Sequence, residues 1–152
     1  MYKILLAGML SFILLGCDTQ KGTFLEVVET KHDVPQSVTK FIHLIKEKGL
    51  TYFETIDHKK NAQEVGLRMR AESVVVFGNP KMGTKLMQCN PSIGLDLPLK
   101  MLFSTDYSGK TTITYTNPEY WTLKHNIKDK KCLNIIKKAT IAMRNLAEAA
   151  AK

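Results

Sequence analysis

From about Lys128 to its end the chain keeps one apolar rhythm. Cys132, Ile135, Ile136, Ala139, Met143, Leu146, Ala147 and Ala150 recur at three- and four-residue steps, which places them on one face of an α-helix. Such a stripe must be covered by other parts of the chain or by a partner. Its narrow, alanine-rich character suits close packing on β-strands better than a coiled-coil seam. The rest of the sequence should therefore contain a sheet.

The strand signals are present. Residues 23–31 alternate as a half-buried strand, residues 50–57 read as a second, and residues 72–77, which include Val74, Val75 and Val76, as a third and buried one. Residues 97–104 and 110–116 read as a hairpin turned by Asp106, Ser108 and Gly109. Between the first two strands, Asp33 precedes Val34-Pro35 as an N-cap precedes proline in a first turn. Val34, Val38, Phe41, Ile42 and Ile45 then keep helical spacing up to a C-capping Gly49. A short helix over 59–65 should end at Gly66, and the aromatic segment 119–125 should lead into the final helix. With 152 residues, 44% apolar and 24% charged, the chain has material for one core and shows no repeat or low-complexity tract.

The first sixteen residues are of another kind. A single Lys3 precedes an apolar run from Ile4 to Leu15, short of the ~20 residues that span a bilayer comfortably. Leu14-Leu15-Gly16-Cys17 resembles a bacterial lipobox, which implies cleavage before a lipidated Cys17. Residues 1–16 then form the signal, 17–22 the lipidated cysteine and a short linker, and 23–152 the single domain. An acylated cysteine carries more than the single chain that gives only marginal membrane attachment. The competing readings are a first element of a cytosolic core and an uncleaved anchor. The expected setting is the bacterial envelope, periplasmic or outer face, with the leaflet left open.

Without Lys3 the 22 basic residues become 21 against 14 acidic ones, a formal +7, which favours an anionic phospholipid surface. The lysines are scattered rather than interleaved with aromatics, so nucleic acid is not an expected partner.

Residues 78–85 place two glycines at the separation of a phosphate-binding loop, but Thr84 and Lys85 stand in the reverse of the order that loop requires. Pro80 also removes a backbone donor from the would-be cradle. The segment instead reads as a rigid structural crossing. Pro80 and Pro91 fix angles, Gly78 and Gly83 permit tight or positive ones, Asn79 and Asn90 bond neighbouring amides, and Asp96 caps backbone donors.

The succession Phe77-Gly78-Asn79-Pro80, Gly83-Thr84, Leu86-Met87-Gln88, Asn90-Pro91 and Leu95-Asp96-Leu97-Pro98-Leu99 resembles the signature of the domain of unknown function 302 family. Gly49-Leu50, Ile56-Asp57-His58, Tyr115, Asn117-Pro118 and His125 extend the likeness over about residues 23–150. The resemblance implies an α+β domain: an antiparallel sheet of about five strands, a helix after the first strand and a long C-terminal helix packed on the sheet. It brings no established activity or cofactor.

Polar residues supply the remaining candidates. Cys89 and Cys132 form an even pair suited to a disulfide in an oxidising envelope, or are two small apolar side chains. His58 and His125 fall on the motif matches. With Asn79 and Asp96 they make a candidate ligand site, or serve as satisfied groups that fix loops. None has persuasive metal spacing, and no Ser/His/Asp arrangement follows from spacing. The favoured function is a non-catalytic domain that binds a small ligand or an envelope protein. An enzyme or metal-binding protein using His58 and His125, and a structural envelope-assembly partner, are the alternatives.

Overall fold

A computed structural model describes residues 24–152. The expectations for the signal segment, Cys17 and the linker lie outside the described residues. Eleven elements follow in order: β1 (Leu25–Thr30), α1 (Val34–Glu47), β2 (Thr51–Asp57), α2 (His58–Glu64), β3 (Glu72–Gly78), α3 (Pro80–Cys89), a 3-10 turn (Pro91–Leu95), β4 (Leu99–Thr105), β5 (Thr111–Thr116), α4 (Tyr120–Lys124) and α5 (Lys130–Ala151). The strands make one sheet in the order β1-β5-β4-β3-β2, with every neighbouring pair antiparallel. This is the α+β arrangement expected, with α1 after the first strand and α5 closing the chain.

One face of the sheet carries the core. Val75 and Phe77 on β3, Met101 and Phe103 on β4, and Ile113 and Tyr115 on β5 are buried there with Phe41 and Ile45 of α1 and Met143, Leu146, Ala147 and Ala150 of α5. Phe41 meets Phe77 edge-on at 5.0 Å between centroids and Phe103 at 5.4 Å. It is fully buried, so its truncation to alanine should cost about 3–5 kcal/mol. Among the described residues, Ser37 Oγ on α1 is the one buried side-chain polar atom with no hydrogen-bond partner.

Local chemistry sets the helix ends. The Asp33 carboxylate accepts from the Gln36 amide at 2.8 Å, and Gly49 takes φ +68° just beyond α1. Gly66 takes φ +77° after α2. In the β4–β5 turn, Asp106 accepts from the amides of Ser108 and Lys110, and Gly109 takes φ +87°.

The segment after β3 differs from expectation. Residues 80–89 form α3, a ten-residue helix, so the rigid crossing expected there is helical and not a loop. The Asn79 side chain caps it by accepting from the Met82 amide at 3.1 Å, and Pro80 occupies the first turn. Asn90 caps the 3-10 turn in the same way, accepting from the Ser92 amide at 3.0 Å. Gly78 and Gly83 do not take positive φ, so their role is not to permit a left-handed turn. Gly83 lies within the helix.

Because the strands alternate in direction, β1 starts, β2 starts, β3 ends, β4 starts and β5 ends at one end of the sheet. The elements that follow β3 and β5, α3 and α4, lie there. So does the point where residues 1–23 join the domain: the Phe24 ring packs on Tyr120 at 5.0 Å, and the Phe24 carbonyl accepts from the Asn117 amide at 2.7 Å.

Candidate functional site

A groove of about 630 Å3 opens at that end, between α3 and α5. One wall is the inner face of α3 (Met82, Gly83, Leu86, Met87). The facing wall is the stripe Ile135, Ala139, Ala142, Met143 and Leu146 of α5. Leu50, Phe53, Leu97, Leu99 and Trp121 complete it. The α5 stripe therefore does two jobs. Ala147 and Ala150 are buried beside the sheet, while Ala139 and Ala142 line the groove. The lining is overwhelmingly apolar, with Asn79, Thr84 and Lys138 as its polar members. Its volume lies within the range that encloses small ligands. Met82 and Met87 add adaptable side chains, the kind that fit ligands of varied outline.

Behind the Leu97–Trp121 wall lies a polar cluster. His125 is buried, and its Nδ1 is 2.7 Å from Ser92 Oγ while its Nε2 is 2.5 Å from Asp96 Oδ2. Lys124 donates to the other Asp96 oxygen at 2.9 Å, and Asn90 Nδ2 donates to the His125 carbonyl at 2.7 Å. Burial works to raise the Asp96 pKa, but hydrogen bonds from His125 and Lys124 outweigh it and hold the carboxyl below its ordinary value. The same bond raises the Lys124 pKa. Asp96 is thus no cap for backbone donors, as the residues alone had suggested. It ties the 3-10 turn to α4.

Ser92, His125 and Asp96 form a hydroxyl–imidazole–carboxylate chain, which spacing had not revealed. A nucleophilic site also needs free donors aimed at a developing oxyanion. Here the Ser92 amide is held by Asn90 Oδ1 and the Ile93 amide by the Asn90 carbonyl. The arrangement acts as a fastening: Leu97 follows Asp96, the His125 amide bonds the Trp121 carbonyl at 2.9 Å, and both apolar neighbours line the groove.

The four residues expected to share a ligand site are thus dispersed. Asp96 and His125 meet. Asn79 lines the groove and caps α3. His58 begins α2 at the opposite end of the sheet, since Thr51 pairs with Gly78 and Asp57 with Ser73. Those pairs are five steps apart along β3 and six along the bulged β2, roughly 20 Å. A shared site of His58 with the other three is ruled out by that distance. Residue-level reading missed Ser92, Lys124 and the apolar lining itself. The i, i+4 spacing of Trp121 and His125 was the available signal for a helix that links wall and cluster.

Cys89, at the end of α3, and Cys132, in the first turn of α5, are joined in a disulfide with Cα atoms 6.7 Å apart, which ties the two helices together. Among the described residues, one group of metal-ligating side chains is close enough to hold an ion: Cys89, Cys132 and Asp129, with ligand atoms within 4.8 Å of one another. Two of its three ligands are consumed by the disulfide.

The chain matches the family described as Domain of unknown function DUF302 over residues 26–150. Among solved structures it is similar to an uncharacterized conserved DUF302 protein from Bacillus stearothermophilus, with a TM-score of 0.74 at 17% identity, covering 84% of this chain and 98% of that one. That likeness concerns the fold. Curated relatives include Fluoride-specific ion channel FluC 1 of Brucella suis and its namesake in Brucella abortus. Each is 36% identical over 103 residues, or 68% of this chain. The chain spans only 41% and 38% of the length of those two proteins.

Proposed function

The chain belongs to the DUF302 family, and from that premise we propose a non-catalytic domain that takes a small apolar or amphipathic molecule into the groove between α3 and α5. It is displayed at the bacterial envelope from a lipid anchor on Cys17. The groove carries the first part of this reading: a space of about 630 Å3 lined almost entirely by side chains that gain from losing water. The lipobox-like Leu14–Cys17 supports the second. No described helix is long and apolar enough to cross a membrane, and ion conduction is not part of the proposal.

Native mass spectrometry of the full protein purified from its own envelope tests the ligand. A retained apolar mass is expected, and it should be absent from Gly83→Trp, whose ring would occupy the groove. Trp121 is the only tryptophan, so its emission should shift when a long-chain fatty acid is titrated in. No bound mass together with an unresponsive Trp121 rejects the groove as a ligand site. The anchor is tested separately: the first peptide of the mature protein should begin at Cys17 and carry a diacylglyceryl mass, and an unmodified chain starting at Met1 in the cytosol rejects it.

The enzyme reading draws on the Ser92–His125–Asp96 chain. It requires Ser92→Ala to abolish hydrolysis of an acyl ester; an unchanged rate removes it.

A further inference from the structure

We propose that the α3/α4 end of the domain is a bilayer-docking surface that recognises anionic phospholipid, so that the groove lies against the membrane. The proposal rests on the anchoring above for what residues 1–23 do, but its geometry comes from the described domain. Phe24, where those residues join the fold, is held on Tyr120 of α4. Any attachment made through the preceding chain therefore pulls this end toward the lipid, and seven extended residues from Cys17 to Phe24 reach at most about 24 Å.

Two leucines face water at this end. Leu95 is 78% exposed and Leu123 71%. Each is next in sequence to a member of the Asp96–Lys124–His125 cluster, whose bonds hold the two leucines near one another. A partly exposed ionic fastening that presents a pair of bare leucines resembles the apolar part of an interfacial surface, which sinks to the boundary of headgroups and acyl chains.

The surrounding charge has the matching sign. Lys85, Lys128, Lys130 and Lys131 are exposed on α3 and at the start of α5. The nearby carboxylates are mostly committed: Asp96 to Lys124 and His125, and Asp129 to the Lys131 and Cys132 amides. Basic groups beside an anionic surface each favour contact by about fivefold.

The opposite end supplies a built-in control. It exposes Val65 at 71% and Leu67 at 64%, but it lies a sheet length of roughly 20 Å from Phe24. Exposure alone does not separate the two ends. Nor does charge, since Lys59, Lys60 and Arg68 are exposed at the far end; the position of Phe24 does.

Hydrogen–deuterium exchange on the full chain purified from bacterial membranes tests the orientation. The chain is reconstituted into phosphatidylcholine vesicles with and without phosphatidylglycerol. With phosphatidylglycerol, amides of residues 91–96 and 120–128 should exchange about fivefold more slowly or more. Leu95→Ser with Leu123→Ser should abolish that slowing, and Val65→Ser with Leu67→Ser should leave it intact. Both changes are at exposed positions, and a circular dichroism melt identifies any variant that fails to fold. Lys128→Gln with Lys130→Gln gives a second route to the same loss. Attached chains with no slowing at 91–96 and 120–128, or with slowing at 58–69 instead, overturn the docking surface while leaving the anchor standing. Chains that do not stay with vesicles at all overturn both. Retention of the fatty-acid response of Trp121 without vesicles shows that the groove reading survives either failure.

Discussion

Gly83 gives the most direct test of the fold around the groove, because a helical and a turn-forming glycine answer the same substitution with opposite signs. It is the fourth residue of α3, its φ is not positive, and a Cβ built there would meet Leu97 Cδ1 at 3.6 Å, an ordinary contact. Alanine is favoured over glycine in a helix by about 1 kcal/mol, partly through the freedom glycine holds in the unfolded chain. Nothing in the surroundings opposes the added methyl, so Gly83→Ala should stabilise the domain by about 0.5–1 kcal/mol, a rise of about 2–4 °C in Tm. Gly49 is the comparison. It has open space for a Cβ but holds φ +68°, so Gly49→Ala should destabilise by about 1–2 kcal/mol. Urea unfolding followed by circular dichroism reads both, with unchanged m-values expected. If Gly83→Ala loses as much as Gly49→Ala, residue 83 is a strained turn position and the helical wall of the groove is wrong.

Three other perturbations have expected outcomes. Ser37→Ala removes a buried hydroxyl without a partner and should raise stability by about 1 kcal/mol in the same denaturation assay. The paired change Cys89→Ser with Cys132→Ser opens a cross-link 43 residues apart and should cost up to about 4 kcal/mol by chain entropy; mass measurement before and after reduction should show a gain of two hydrogens, and no gain rejects the bridge. Asp96→Asn gives up charge-assisted bonds and should cost about 1.5–3 kcal/mol. Because the Asp96 pKa is lowered on folding, its contribution is fully present above the ordinary carboxylate value and is lost as pH falls through the lowered one; in acid titrations the gap between wild type and Asp96→Asn should therefore stay constant down to about pH 4 and close below it, and a gap that stays constant as pH falls further contradicts the pairing.

The legible parts of this fold are those in which one local signal meets one physical need. The α1 stripe with Asp33 before it and Gly49 after it states a helix completely, and the Asp106–Gly109 turn states a hairpin. The α5 stripe required a sheet and has one. The segment after β3 misled for an identifiable reason. Asn79-Pro80 carries the same capping chemistry as Asp33 before Val34-Pro35, an N-cap side chain with proline in the first turn. Beside two glycines and a second Asn-Pro, however, it reads as turn chemistry, because Asn, Pro and Gly serve helix starts and turns equally well. What decides between them is long-range: Leu86 gains its burial only when α5 and the residue 91–97 segment arrive.

The site was less legible than the fold for the same kind of reason. His125 and Asp96 were visible as polar residues within motifs, but their partnership spans 29 positions and depends on α4 folding back over the 3-10 turn. The groove had no local signature at all, since its lining comes from α3, α5 and separate residues at 50, 53, 97, 99 and 121. Ala139 belongs to the same periodic stripe as Ala147 and Ala150 and Ala142 flanks it, and nothing along the helix marks which alanines meet strands and which line the groove. That division follows from where α3 crosses the end of the sheet, held by Asn79 at its start and Cys89 at its finish. A ligand site in this domain is therefore a property of two helix ends rather than of any residue's chemistry. Substitutions that shift α3 should alter binding more than conservative changes to individual lining residues.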